Sequence, residues 1–163
     1  MNPTYIGSLI VKPIGNQYGV FANAPIYRST FIEACAWIPV NKKTQILLEK
    51  NKSNLCNYLF INPDGVKYED ELSKKLLELD LQKKLDQGII TSTQFKELLI
   101  NYINPNHMLD LDTHAILLGN GSIYRTSLTP NISWEYDDIS KLYKFFAVEN
   151  IKPGQELTYL TKG

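Results

Sequence analysis

The 163-residue sequence predicts one mostly β domain of the α+β class that carries a helical insertion. Three observations predict it. Both ends of the chain consist of short β-branched and aromatic runs cut by Pro and Gly. The stretch from about 62 to 112 carries leucines at helical spacing in a charged background. No internal repeat and no linker-like composition divides the chain.

The first strand is read in "IGSLIVKPI", which stops at Pro13. A Gly15-Asn16 turn signal leads to a second strand in "YGVFANAPI", ended by Pro25. "STFIEACAWIPV" reads as a third strand that stops before Pro39. Its alternation places Phe31, Glu33, Cys35 and Trp37 on one face, with Ile32, Ala34, Ala36 and Ile38 on the other. Glu33 is expected to face solvent.

The middle region, from about Lys43 to His114, is more helical. "EDELSKKLLELDLQKKLDQG" sets Leu72, Leu76 and Leu79 on one stripe and Leu77, Leu81 and Leu85 beside it, with acidic residues first and Gly88 last. "TSTQFKELLINY" opens with capping-box spacing between Thr91 and Gln94 and carries an apolar face of Phe95, Leu98, Leu99 and Tyr102. The two segments are expected to form a helical hairpin. They lack the alternating acidic ligands of a calcium loop.

The third region begins with an apolar run, Ala115 to Leu118, that ends in Gly119-Asn120-Gly121-Ser122. Two turn residues suffice for a plain hairpin, so the extra small residues imply a close approach to the backbone. Strands around Trp134 and Phe145 are expected to pair across the turn at Asp137–Ser140. A turn at Lys152-Pro153-Gly154 leads to a last strand with Leu157 and Tyr159.

Composition narrows the function. Formal net charge is zero at pH 7, which argues against binding nucleic acid through a broad basic surface. No apolar run reaches the length of a membrane span. Cys35 and Cys56 are expected to be buried free thiols in a reducing intracellular compartment, cytoplasmic or nuclear, since the N-terminus shows no signal-peptide pattern. Two cysteines and two histidines, His107 and His114, lack the paired short spacings of a zinc site, so no metal is expected. Both histidines read as core or solvent residues without a partner dyad.

Four stretches, in order, resemble the SET domain of protein-lysine methyltransferases, in particular its small viral and bacterial forms. "YGVFANAPIYRSTFIEACAWIPV" is similar to the family's Gly-x-Gly-Val-Phe-Ala unit and the strand after it. "NYLF", Asn57 to Phe60, resembles Asp-Tyr-x-Phe. "LLGNGSIYRTSLTPN" resembles the segment that carries Asn-His-Ser and Pro-Asn, and "FFAVENIKPGQELTYL" resembles the segment that ends in Glu-Leu-Thr-Tyr. The resemblance covers both ends of the chain and leaves about Asn62 to Asp112 as an insertion within a single SET-like domain, 1–163.

The resemblance implies a SET-like β-clip with knot-like threading of the C-terminal segment, which gives a reason for small residues at Gly119, Gly121 and Ser122. It implies S-adenosylmethionine as cofactor, a lysine-containing protein or peptide as substrate, and no metal. The amine must be neutral to attack the methyl group, and a dry channel favours that form. In-line positioning supplies most of the catalysis. The cofactor residues implied are Gln17, Tyr18, Gly19, Tyr124, Arg125 and Thr126. Tyr58, Gly119 and Gly121 fall to the substrate. Tyr159 aligns with the family's Phe/Tyr position that tunes how many methyls are added, and it is assigned to catalysis as the only tyrosine near the end of the last strand.

Each of these residues also has an ordinary reading. Tyr18 and Gly19 fit a hairpin turn, and Tyr58 and Tyr124 fit core packing. Arg125 is either an ion-pair partner of Asp137, Asp138 or Glu156 or a contact for the cofactor carboxylate. The sequence departs from the family where chemistry is concentrated. Gln17 stands at the first glycine, Arg125-Thr126 replace Asn-His, Gln155 stands at a frequent Glu, and Thr161 replaces the final tyrosine. Two functions stay open on this reading: a SET-type lysine methyltransferase, or a SET-like peptide-binding module without catalysis.

Overall fold

The computed structural model describes residues 9–100 and 109–163. Strands β1 (Leu9–Ile14) and β2 (Gln17–Ala22) form an antiparallel hairpin that pairs Ile14 with Gln17. Gly15 takes φ +59° at the turn, as the Gly-Asn signal requires.

The predicted third strand is two strands. β3 (Phe31–Cys35) and β4 (Trp37–Val40) belong to different sheets. A register shift between Phe31 and Glu33 breaks the alternation, so that Ile32 and Glu33 are both buried. Glu33 therefore points into the protein, contrary to the solvent-facing expectation. Pro39 lies within β4 rather than beyond it. β4 is the edge of its sheet, where a residue with no N–H to donate is tolerated.

α1 (Lys42–Lys50) follows, capped by the Asn41 side chain, which accepts from the Thr44 N–H at 2.8 Å. A 3-10 turn over Asn54–Tyr58 leads into β5 (Leu59–Ile61). α2 (Pro63–Asp86) begins six residues ahead of the expected Glu69, with Pro63 in its first turn. α3 (Ser92–Ile100) carries the reciprocal capping box: Thr91 N–H donates to Gln94 at 2.9 Å, and Gln94 N–H donates to Thr91 at 3.2 Å. The two helices pack as a hairpin. Leu81 is buried but Leu79 is exposed, so the buried stripe is narrower than its leucine pattern. The expected contributions of Tyr102 and His107 lie outside the described residues. No helix among those described is long and apolar enough to cross a membrane.

β6 (His114–Leu117) runs between β4 and β5 in an antiparallel sheet. β7 (Arg125–Thr126) follows the glycine turn. β8 (Ile132–Asp137) and β9 (Leu142–Ala147) pair across Asp137–Lys141 with Trp134 opposite Phe145, as expected, and β3 completes that sheet. Asp137 Oδ1 fixes the turn by accepting from the N–H groups of Ile139 and Ser140. β10 (Thr158–Tyr159) lies parallel to β7.

The sheets close on an aromatic core. Phe60 touches Trp134, Tyr143, Phe145 and Tyr159 with ring centroids 5.3–6.2 Å apart. Burying a ring such as Phe60 or Phe145 contributes roughly 2–3 kcal/mol. This core stands directly behind the site described next.

Candidate functional site

A cavity of 410 Å³ opens between the end of the β1–β2 hairpin, the 3-10 turn and the segment 122–126. Its volume falls in the range of small-molecule and cofactor pockets. Gln17 and Tyr18 form one lip because the Gly15 turn delivers the start of β2 there, and Tyr18 leaves much of its ring exposed. Tyr124, Arg125 and Thr126 form the facing wall, and Asn57 and Tyr58 a third side.

The wall is set from behind. The Tyr124 hydroxyl donates to Glu33 Oε1 at 2.5 Å, and the Asn120 N–H reaches Glu33 Oε2 at 3.5 Å. Burial raises the Glu33 carboxyl above its ordinary 4.5, against the lowering effect of these hydrogen bonds. Burial, and then the neighbouring Glu33 charge, also raises the Tyr124 phenol. The same two causes push the Cys35 thiol up to about 12, so it stays protonated beside Glu33. Gly119 takes φ +70°, and a Cβ there would stand 3.0 Å from Glu33 Oε2, so the glycine turn fits around this carboxylate.

Arg125 resolves its alternatives by pairing with Glu156, not with Asp137 or Asp138. Its Nε donates to Oε1 at 2.6 Å and its Nη2 to Oε2 at 2.9 Å, a two-pronged fork. The fork raises the guanidinium pKa further. Glu156 is held in turn through its backbone: Asn131, a buried side chain just before β8, donates from Nδ2 to the Glu156 carbonyl at 2.8 Å and accepts from the Thr158 N–H at 2.9 Å. Ser127 N–H bonds the Tyr159 carbonyl at 2.8 Å. These bonds lock β10 beside β7.

Six of the residues named from sequence therefore meet on one cavity: Gln17, Tyr18, Tyr58, Tyr124, Arg125 and Thr126. Four do not line it. Gly19 lies against Glu156 Oε1, where a Cβ would come within 2.6 Å. Gly119 and Gly121 pack towards Glu33 and Cys35. Tyr159 is buried among Phe60 and Phe145, and the residue borders an apolar groove that Trp134, Leu160 and Thr161 also line. Its hydroxyl is buried and has no hydrogen-bond partner among the described residues. Burial raises its phenol.

Six lining residues escaped the sequence reading, the apolar Leu59 and Ile123 and four with polar groups. Ser122 accepts from the Leu117 N–H and donates to the Tyr58 carbonyl, which ties the glycine turn to the 3-10 turn. Cys56 is half-buried on the cavity wall, not buried as expected. Asn57 offers its carbonyl, and Lys162 reaches in from beyond β10. The "NYLF" signal marked the neighbourhood of the first of these, but nothing in the sequence marked Lys162. His114 is half-buried beside Thr113, outside this cavity, and burial lowers its pKa. Among the described residues no three His, Cys, Asp or Glu side chains cluster to hold a metal ion.

The family model described as SET domain matches residues 17–160. A Plasmodium falciparum protein assigned as a histone methyltransferase is 16% identical, with 93% of this chain covering 90% of that one at a TM-score of 0.49. A humanized mutant of the Chaetomium thermophilum Polycomb Repressive Complex 2, solved with an inhibitor, is 13% identical at a TM-score of 0.50. The same complex in an autoinhibited conformation bound to S-adenosylmethionine is 14% identical, also at 0.50. In these two, 94% of this chain covers 14% and 15% of the matched chain. A search of curated protein sequences finds no significant match.

Proposed function

The chain belongs to the SET-domain family, whose members are protein methyltransferases, and from that premise we propose that it is an S-adenosylmethionine-dependent protein-lysine N-methyltransferase. One observation carries the reading. Five of the six residues that the family resemblance assigns to the cofactor, Gln17, Tyr18, Tyr124, Arg125 and Thr126, come from two segments more than a hundred residues apart and meet on the walls of one cavity.

The lining suits such a ligand. The exposed Tyr18 ring offers a stacking surface for a base, and the Arg125 guanidinium at the wall suits a carboxylate. Bound there, S-adenosylmethionine supplies an electrophilic methyl group on a sulfonium. The protein's share is positioning and exclusion of water. The Glu33–Tyr124 bond fixes the wall, the Arg125–Glu156 fork fixes its outer end, and the aromatic core behind them forms a dry backing that favours a neutral amine. Tyr159, whose buried hydroxyl has no hydrogen-bond partner among the described residues, is the candidate to orient the incoming amine.

Thr161 favours the second reading, a SET-like peptide-binding module. Its carbonyl accepts from Trp134 Nε1 at 2.7 Å, and its side chain bonds Gly163, so the family's phenol has no direct replacement there. Incubating the protein with labelled S-adenosylmethionine and a lysine-rich protein mixture decides between them. Label on lysine supports the enzyme. Binding of a peptide without transfer supports the module.

A further inference from the structure

Lys162 is placed unlike an ordinary surface lysine. Its Nζ donates to the Asn57 carbonyl and lies 5.9 Å from the centre of the Phe60 ring and 5.7 Å from that of Tyr159. The backbone on either side is pinned. The Thr161 carbonyl accepts from Trp134, and the Lys162 carbonyl accepts from the Ile61 N–H at 2.9 Å. No carboxylate among the described residues pairs with it. Its side chain lines the same cavity as Tyr124, Arg125 and Thr126.

We propose that Lys162 is an internal methyl acceptor, a lysine of the protein's own chain held in the cavity for self-methylation. The proposal rests on the methyltransferase reading above. A methyl acceptor needs a neutral amine and a place for the cation that forms, and the site offers both. Burial lowers the Lys162 pKa, which increases the neutral fraction. The two rings then face the methylated ammonium, which aromatic faces hold well. In the step itself, Lys162 first releases a proton to solvent. Its lone pair forms the new N–C bond as the S–CH₃ bond breaks and its electrons pass to sulfur. The products are N-methyl-lysinium and the neutral thioether S-adenosylhomocysteine.

Two measurements on the full chain test this. In the first, the protein is incubated with S-adenosylmethionine over a dilution series and digested for tandem mass spectrometry. The expected result is one added methyl group at Lys162, formed at a rate per molecule independent of protein concentration and absent in Lys162→Arg. In the second, which requires no turnover, the protein is treated with acetic anhydride with and without S-adenosylhomocysteine. Protection of Lys162 by the thioether is expected. Methylation of an added lysine peptide while Lys162 stays unmodified overturns this proposal and leaves the enzyme reading standing. Acetylation of Lys162 that is unchanged while the thioether is bound also overturns it alone. Absence of both thioether binding and any transfer overturns the proposal and the enzyme reading together.

Discussion

Tyr124 and Glu33, 91 residues apart in sequence, share a 2.5 Å hydrogen bond behind the cavity wall. The β3 bulge turns Glu33 inward, and the glycine turn brings Tyr124 over it. Removing the donor leaves a buried carboxylate short of a partner. Tyr124→Phe is therefore expected to destabilise the fold by about 1–3 kcal/mol, measured by urea denaturation.

The same pair sets a pH dependence. The Glu33 carboxyl is raised in the folded state above its ordinary 4.5, so the folded protein holds this proton more tightly than the unfolded chain. The group's contribution is most favourable below the unfolded pKa and is lost as pH rises through the folded one. Stability of the wild type is expected to fall relative to Glu33→Gln as pH is raised from about 4 to about 8. A constant difference across that range would show that Glu33 titrates as it does in water.

Asn131 joins β10 to the preceding segment through both ends of its amide. Asn131→Ala removes two buried bonds and leaves the Glu156 carbonyl and Thr158 N–H without these partners. The expected loss is about 2 kcal/mol, or roughly 4–8 °C in Tm by thermal melting.

The Arg125–Glu156 fork depends on planar geometry, not on charge alone. Arg125→Ala is expected to weaken S-adenosylmethionine binding roughly tenfold, about 1.4 kcal/mol by calorimetry. Arg125→Lys should fail to restore it. Equal affinity in the wild type and both variants would reduce the fork to a surface ion pair.

Tyr159 separates a structural from a chemical role. Its hydroxyl has no partner among the described residues, so Tyr159→Phe should leave stability unchanged or slightly raised. Turnover should nevertheless fall on the order of a hundredfold if the phenol orients the amine. Thr161→Tyr, which restores the family's residue, should raise turnover. Unchanged turnover in Tyr159→Phe would make Tyr159 a core residue only.

What the sequence made legible were features written locally. The Gly15 hairpin, the Trp134–Phe145 pairing and the Thr91–Gln94 capping box each rest on residues a few positions apart. The family resemblance added the cavity residues at both ends of the chain. The misreadings share one physical origin, a long-range contact. The bulge that buries Glu33 follows from pairing with β9, and a strict two-residue period cannot register it. Helix α1 is the exception: it buries none of its residues, so no core stripe marks it. Lys162 looks like a tail residue until β5 and Trp134 fix the backbone around it.

The central claim is that the cavity between Tyr18 and Tyr124–Thr126 holds S-adenosylmethionine for transfer to lysine. Calorimetric titration of S-adenosylmethionine into the wild-type protein tests it most directly. The account predicts saturable binding at a single site, weakened in Arg125→Ala. An absence of binding at millimolar cofactor, by a protein shown to be folded, would contradict it.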